Sequence, residues 1–441
     1  AKKGTEKAAG RDALRLTALP PARAANRNSL RSDIDSRDAP LRGRAVRDAA
    51  PRKARRTVWP GERLYTDAGW PDMTIHLCEP IGRPNPHHPT FQREAPDSQP
   101  RTFTPKRASL NAKPTTQKRS TQKRSTQNRP TLNTQPQIRP VKILLLGQTG
   151  QIGHELQETL EPLGTVVAPE RDAADLTDPA SLRQAVADTD PDGIVNAAAY
   201  TAVDRAEEEP ERARQINAEA PGVLAEEATR RDAWLVHYST DYVFDGVGDR
   251  PHREDDPANP LGVYGRTKWQ GEEAIRESGA RHLILRTSWV YSDRRSNFLL
   301  TMLRLAEEVE QGERDQLAVV DDQIGCPTSA HWIAEATATL LQPFAGREAR
   351  DLSGTYHLVS GGQTSWYGFA RAIFAQFGVD DVPVEPVATD AYPTKAERPA
   401  YSVLDTTRVR DAFSLAIPTW TEQLDEMRRQ MHAVGSPTAD S

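Results

Sequence analysis

The chain has 441 residues, enough for two or three domains, and a formal net charge of -5. Its two cysteines, Cys78 and Cys326, exclude a disulfide framework; the 10 histidines fall into no metal-binding spacing, and no run of 18 or more apolar residues offers a membrane-spanning helix. The modest net charge hides a division. Residues 1–140 carry 29 Lys and Arg against 12 Asp and Glu, whereas residues 141–441 carry 28 against 50, so two physically different pieces are expected.

The first piece is rich in Arg, Pro, Ser, Thr and Gln, and "TQKRS" occurs in tandem at 116–120 and 121–125. Low hydrophobicity with high charge leaves too little surface to bury, so a disordered extension over 1–140 is expected. Two readings of this arm stand: nonspecific charge contact with nucleic acid, or an extension without function. Val141 stands where domains of this kind often begin with methionine. A native start at Val141, within an over-extended reading frame, favours the second reading. The first residues also lack the apolar stretch of a secretory leader, and scarce cysteine fits a reducing compartment, so a cytoplasmic protein is expected. The acidic body holds three lysines, Lys142, Lys268 and Lys395, beside 25 arginines, a balance that resembles proteins of salt-loving organisms.

From Val141 onward, strand and helix patterns alternate. "VKILLLG" (141–147) is a short apolar run ending at glycine and reads as a buried parallel strand, with a helix from Gln151 to about Leu163. Strands are expected at 165–169, 192–200, 234–240 and 282–291, and one long helix at 207–231, interrupted near Pro221. A helix at 296–312 and a short strand at 317–322 follow. The predicted fold is α/β: a Rossmann-like doubly wound parallel sheet at 141–290, then a smaller C-terminal lobe, mainly substrate-binding, at 291–430, interleaved with the sheet, and a flexible tail at 431–441.

The loop Gly147, Gln148, Thr149, Gly150, Gln151, Ile152, Gly153 lies between the first strand and first helix. Glycine there lets the backbone approach a pyrophosphate, and the helix N-terminus offers it free N–H groups. After the second strand, Glu170 fits a free ribose 2′-hydroxyl and Arg171 fits a 2′-phosphate, so NADH and NADPH both remain open. Asp175, with Leu176, fits either a position near the adenine or a local turn. Tyr264 and Lys268 stand four apart on one helix, so both can point into one cleft. A nearby ammonium lowers a phenol's pKa from about 10, and lysine's rotatable donors suit ribose hydroxyls better than arginine's fork. Ser239, Thr240 and Asp241 end a strand on the ligand side of the sheet; a hydroxyl there can reach a substrate carbonyl, while Asp241 fits either a sugar hydroxyl or a turn cap.

With these elements stand "ILLLGQTGQIG", "VNAAAYTAVDRAE", "STDYVFDG", "YGRTKWQGE", "RTSWVYS", "NFLLTMLRLA", "DDQIGCPT", "GTYHLVSGG" and "RPAYSVLD". Together they resemble the extended short-chain dehydrogenases acting on nucleotide sugars, and within them the dTDP-4-dehydrorhamnose reductase family, over nearly all of 141–430. The resemblance implies NADPH- or NADH-dependent reduction of the C4 carbonyl of dTDP-4-dehydro-L-rhamnose. It implies Tyr264 as proton donor, Lys268 on the nicotinamide ribose and tuning Tyr264, and Thr240 on the reacting oxygen, with Asp241 completing a "TD" pair. Ala198, Ala199, Tyr200 and Thr201 would line the cofactor, Trp289 the sugar, and Arg398 the nucleotide phosphates. Trp289 also fits plain core packing, and Arg398 a surface ion pair. Some members carry Mg²⁺ at a dimer contact, so a homodimer is implied, but ligands for the ion do not match identifiable residues. Related dehydratases place a glutamate after the "TD" aspartate; Tyr242 stands there, which removes their base. Another sugar-nucleotide reductase or epimerase, or a dinucleotide-binding regulatory subunit, shares this fold; the intact Thr240, Tyr264 and Lys268 argue against the subunit. Cys326 reads as a buried thiol.

Overall fold

The computed structural model describes residues 141–345 and 352–435. The expectations of disorder over 1–140 and of its contact with nucleic acid fall outside those residues.

The first strand, β1 (Val141–Leu146), shows how the sheet forms. Its apolar run sends Ile143 and Leu145 into one hydrophobic cluster and Leu144 and Leu146 into another, so both faces are covered, as a parallel sheet requires. β2 (Gly164–Val167), β3 (Gly193–Asn196), β4 (Trp234–Thr240), β5 (Arg281–Thr287) and, much later, β10 (Gly354–His357) complete a six-stranded sheet of order β10-β5-β4-β3-β1-β2, each pair parallel. The chain steps from β1 outward to β2 and then crosses to β3. The topological switch therefore lies between β1 and β3, where open α/β sheets bind ligands beyond the strands' carboxyl ends.

Helices α1 (Gln151–Thr159) and α8 (Ala330–Ala345) contribute Leu156, Ile333 and Leu340 to one cluster; α2 (Pro179–Thr189), α5 (Ala220–Arg231) and α6 (Val263–Glu277) contribute Leu182, Leu224 and Ile275 to the other. This doubly wound arrangement is the one read from the sequence. A third cluster joins α7 (Phe298–Glu310), α9 (Trp366–Phe377) and α11 (Trp420–Gly435) through Leu299, Phe369 and Leu424, beside the parallel pair β7 (Leu317–Val320) and β12 (Val384–Val387).

Several elements differ from expectation. The helix predicted to Leu163 ends at Thr159, and Pro162 sits in a 3-10 turn at Glu161–Leu163. The long helix at 207–231 breaks before Pro221: α4 (Pro210–Arg214) passes into a π-helical turn at Gln215–Glu219. Pro221 follows in the first turn of α5, and its missing N–H cannot donate back to the preceding turn, which widens into the π turn instead. The extra residue of the π turn aims Asn217 inward; it accepts from the Tyr200 N–H at 2.9 Å and donates to its carbonyl at 3.0 Å. The strand predicted over 282–291 breaks at Trp289, whose φ of 47° turns the chain before β6 (Val290–Tyr291). Finally, α11 continues to Gly435, so residues 431–435 are helical rather than a flexible tail.

Candidate active site

The phosphate loop leaves β1 and enters α1. Gly147 has φ +86°, a conformation that favours glycine, and a Cβ on Gly153 would lie 2.0 Å from the Gly147 carbonyl oxygen. Helix α1 begins at Gly150 with no side-chain cap, leaving its N-terminal N–H groups to a ligand. Sequence reading missed what packs on this loop from the far end of the chain. Arg295 Nε donates to the Thr149 carbonyl at 2.7 Å, and the Ser292 hydroxyl donates to Gln151 Oε1 at 2.8 Å. The separations of 146 and 141 residues left no local signal. Gly153→Ala should raise the dinucleotide Kd at least about tenfold, because backbone rather than a flexible side chain must give way. Fluorescence titration with NADPH checks this, and a Kd within twofold of wild type would contradict it.

Beyond β2, Gln148 Nε2 donates to Glu170 Oε1 at 3.1 Å. A cleft of about 580 Å³ opens nearby, lined by Arg171, Arg212, Asp175, Thr177 and Gln215 among others. The Asp175 carboxylate accepts from both the N–H and the hydroxyl of Thr177 at 2.9 Å, so it closes a local turn while forming part of the cleft wall. Leu176 and Ala198 pack against the same hydrophobic cluster. Ala199 and Thr201 follow β3 beside Tyr200, which Asn217 fixes through both backbone groups and whose hydroxyl donates to Glu209 at 3.1 Å.

Thr240 ends β4, and its hydroxyl donates to Asp241 Oδ1 at 3.0 Å and accepts from the Tyr242 N–H at 3.2 Å. Asp241 is 2% exposed; burial pushes its carboxyl up to about 6 against the hydroxyls of Ser402, Thr240 and Ser288. The neighbouring Ser239 hydroxyl turns the other way and donates to Glu272 at 2.5 Å, so of the two it is Thr240 that stands beside the Tyr264 phenol. Helix α6 carries Tyr264, half-buried, and Lys268, 1% exposed. Its first turn is capped from outside: Glu207 Oε1 accepts the Val263 N–H at 2.6 Å, a contact that sequence reading missed. Tyr264 meets the Tyr242 ring edge-on, 5.6 Å between centroids.

The electrostatics correct one expectation. Burial pushes the Tyr264 phenol up to about 12; a hydrogen bond with Thr240 offsets this in part, and Asp241 adds to it. The expected lowering by Lys268 is not a property of the ligand-free protein, because Lys268 Nζ donates to the Tyr238 carbonyl at 2.5 Å and lies 3.1 Å from His237 Nε2. Burial brings Lys268 down to about 7, with Glu272 opposing.

The two remaining expected residues take defined places. Trp289 is half-buried at the strained bend after β5; its ring stacks on Trp366 at 3.5 Å and lies over Gly325. Arg398 forms a two-pronged ion pair with Asp204, Nη2 to Oδ2 at 2.7 Å and Nη1 to Oδ1 at 3.2 Å. Cys326 is buried, its thiol pushed up to about 12 by burial. Among the described residues no three His, Cys, Asp or Glu side chains gather as metal ligands. The pair Glu155 and His331, 2.9 Å apart, is a hydrogen-bonded couple whose imidazole nitrogen already has its partner. The implied Mg²⁺ therefore finds no ligand set among the described residues of this one chain.

Comparisons with known proteins agree with this geometry. Residues 141–433 match the family model described as RmlD substrate binding domain. The dTDP-4-dehydrorhamnose reductase of Escherichia coli (strain K12) is 44% identical over 300 residues, 66% of this chain and 98% of that one. That of Burkholderia thailandensis is 46% identical over 289 residues, 64% of this chain and 95% of that one. A solved dTDP-4-dehydrorhamnose reductase from Clostridium acetobutylicum superposes with a TM-score of 0.60 at 35% identity, covering 66% of this chain and 99% of that one. Another, from Bacillus anthracis in complex with NADP, gives 0.60 at 33% identity with the same coverage. The glycine loop, the Thr240–Asp241 strand end and the Tyr264–Lys268 helix thus lie within one continuous match, and the chain belongs to the RmlD substrate binding domain family, among relatives that are dTDP-4-dehydrorhamnose reductases.

Proposed function

We infer that the protein is an NADPH-dependent reductase that converts the C4 carbonyl of dTDP-4-dehydro-L-rhamnose to the hydroxyl of dTDP-L-rhamnose. One observation carries the reading: the phosphate loop and Thr240 stand at the carboxyl ends of β1 and β4, and the Tyr264–Lys268 helix brings its phenol to Thr240, in a chain 44% identical to a dTDP-4-dehydrorhamnose reductase.

The reduced nicotinamide, when bound, supplies a hydride to the sugar carbon. The chain's own residues handle the proton and the oxygen. Tyr264, protonated at neutral pH because its phenol stands near 12, gives its proton to the oxygen as negative charge develops there. Thr240, already close to that phenol, turns its hydroxyl proton from Asp241 Oδ1 to the same oxygen. Lys268 stands behind the pair and serves the cofactor ribose. Gly147, Gly150 and Gly153 hold the diphosphate. Trp289, fixed by its stack on Trp366, offers an indole face to the sugar. Arg398 faces the nucleotide phosphates after exchanging one prong of its bond to Asp204. Asp241 holds the Thr240 hydroxyl until the sugar oxygen takes its place.

NADPH is favoured over NADH because Gln148 engages Glu170, while Arg171 and Arg212 line the neighbouring cleft and can meet a 2′-phosphate. A homodimer, a cytoplasmic location and a saline interior belong to the same reading, the last supported by the acidic body. Among the described residues no helix is long and apolar enough to cross a membrane. Anaerobic mixing of the full chain in high salt with NADPH or NADH and dTDP-4-dehydro-L-rhamnose tests the assignment. Loss of nicotinamide absorbance with formation of dTDP-L-rhamnose is expected, faster with NADPH. Reduction of other 4-keto nucleotide sugars but not of this one would overturn it.

A further inference from the structure

We propose that His237 is a positioning residue for Lys268: it fixes that side chain and presents an N–H to it, so that the cofactor-free protein holds Lys268 as an uncharged amine. The register of β3 and β4 pairs Asn196 with His237, which puts both side chains on one face of the sheet. Asn196, His237 and Lys268 are each 1% exposed. Asn196 Oδ1 accepts the Ala198 N–H at 3.2 Å, and this sets the amide so that its nitrogen faces His237 Nδ1, also at 3.2 Å. An amide nitrogen donates and does not accept, so Nδ1 carries the lone pair. Burial keeps the ring neutral, and its single proton then sits on Nε2, 3.1 Å from Lys268 Nζ. That N–H needs a lone pair opposite it. An amine has one and an ammonium does not. One hydrogen of Nζ goes to the Tyr238 carbonyl at 2.5 Å.

The polar chain runs Asn196 to His237 to Lys268 to Tyr238, with a donor and an acceptor at each link. The groups around Lys268 agree. β4 offers the neutral imidazole and a carbonyl. Glu272, one turn along α6, is bound by Arg286 of β5, by Arg276 of its own helix and by Ser239, which weakens its pull on the amine. Lys268 therefore gains a proton from solvent when cofactor oxygens replace the imidazole as its neighbours. The same contact sets where Nζ rests before the cofactor arrives.

This inference rests on the role given to Lys268 above, and its test separates the two. Nitrogen-15 NMR of the cofactor-free full chain should show the Nε2–H tautomer at His237, a signature independent of turnover. His237→Leu should lower kcat roughly 100-fold, whereas His237→Gln, whose amide can still donate to Nζ, should recover to within about tenfold of wild type. A Nδ1–H tautomer, a charged imidazole, or a folded His237→Leu variant within twofold of wild-type kcat would overturn the proposal. If the leucine variant fails to fold, the wild-type tautomer and the glutamine variant decide. Wild-type protein that shows the expected tautomer but does not reduce the sugar nucleotide would leave the positioning intact and remove the reductase reading instead.

Discussion

Tyr264→Phe should lower kcat by roughly 10²–10⁴-fold while the NADPH Kd stays within about threefold of wild type. The substitution removes one hydroxyl and keeps the ring, so the edge-on contact with Tyr242 persists. What disappears is the proton donor. Its phenol, raised to about 12 by burial, holds its proton throughout the physiological range and releases it only to an oxygen becoming strongly basic, as an alkoxide is. A raised phenol suits the reducing direction, in which the enzyme must give a proton rather than take one. Stopped-flow absorbance at saturating substrate, with a separate titration of NADPH, separates the two quantities. A variant turning over at near-wild-type rate would place the proton source elsewhere.

The largest effect on stability is expected from Glu272→Ala. Glu272 is fully buried; Arg286 donates to its two oxygens at 2.9 and 2.7 Å, Arg276 at 3.0 Å and Ser239 at 2.5 Å. Arg286, itself 1% exposed, also lies over the rings of Phe244 and Trp269. Removing the carboxylate leaves a buried guanidinium without a counter-charge, a loss of about 3–5 kcal/mol. Burial raises the carboxyl's pKa, but Arg286, Ser239 and Arg276 lower it further, and the net shift is downward. Glu272 therefore contributes stability above the unfolded carboxyl value of about 4.3, and loses it as pH falls through the lower folded value. Urea unfolding near neutrality should show the full loss in Glu272→Ala, shrinking in acid. A loss under about 1 kcal/mol would mean that solvent or another acid takes the place of Glu272. The double variant Glu272→Leu with Arg286→Met should recover much of the stability, since an apolar pair of similar volume removes both charges together.

What could be read in advance divides along physical lines. "VKILLLG" and "GQTGQIG" carry their meaning locally, through a short apolar run ending at glycine and through glycines placed between strand and helix. The four-residue spacing of Tyr264 and Lys268 likewise needs nothing beyond one helix. The partners of Lys268 were hidden. His237 lies 31 residues away and Asn196 a further 41 from His237, and only the pairing of β3 with β4 sets them side by side. Pro221 marked the neighbourhood of the interruption, but not that it takes the form of a π turn aiming Asn217 inward. Trp289 reads as one more apolar residue in a strand, yet its left-handed backbone bends the chain and lays its ring over Gly325 and Trp366. The phenol's high value in the ligand-free protein has a different origin. Spacing fixes which side chains share a face, but not which partners lie nearer, and Lys268 already has His237 and the Tyr238 carbonyl.

The late arrival of β10 has a consequence for biosynthesis. Its register runs from Gly354 against Leu283 to His357 against Arg286, so the outer margin of β5 stays bare until residue 357 has left the ribosome. Throughout synthesis of the intervening lobe, a nascent chain carries an unpaired, apolar strand edge, the kind of surface on which neighbouring chains on a polysome associate. Translation speed across that interval, and chaperones that shield it, then govern how much protein reaches the native state.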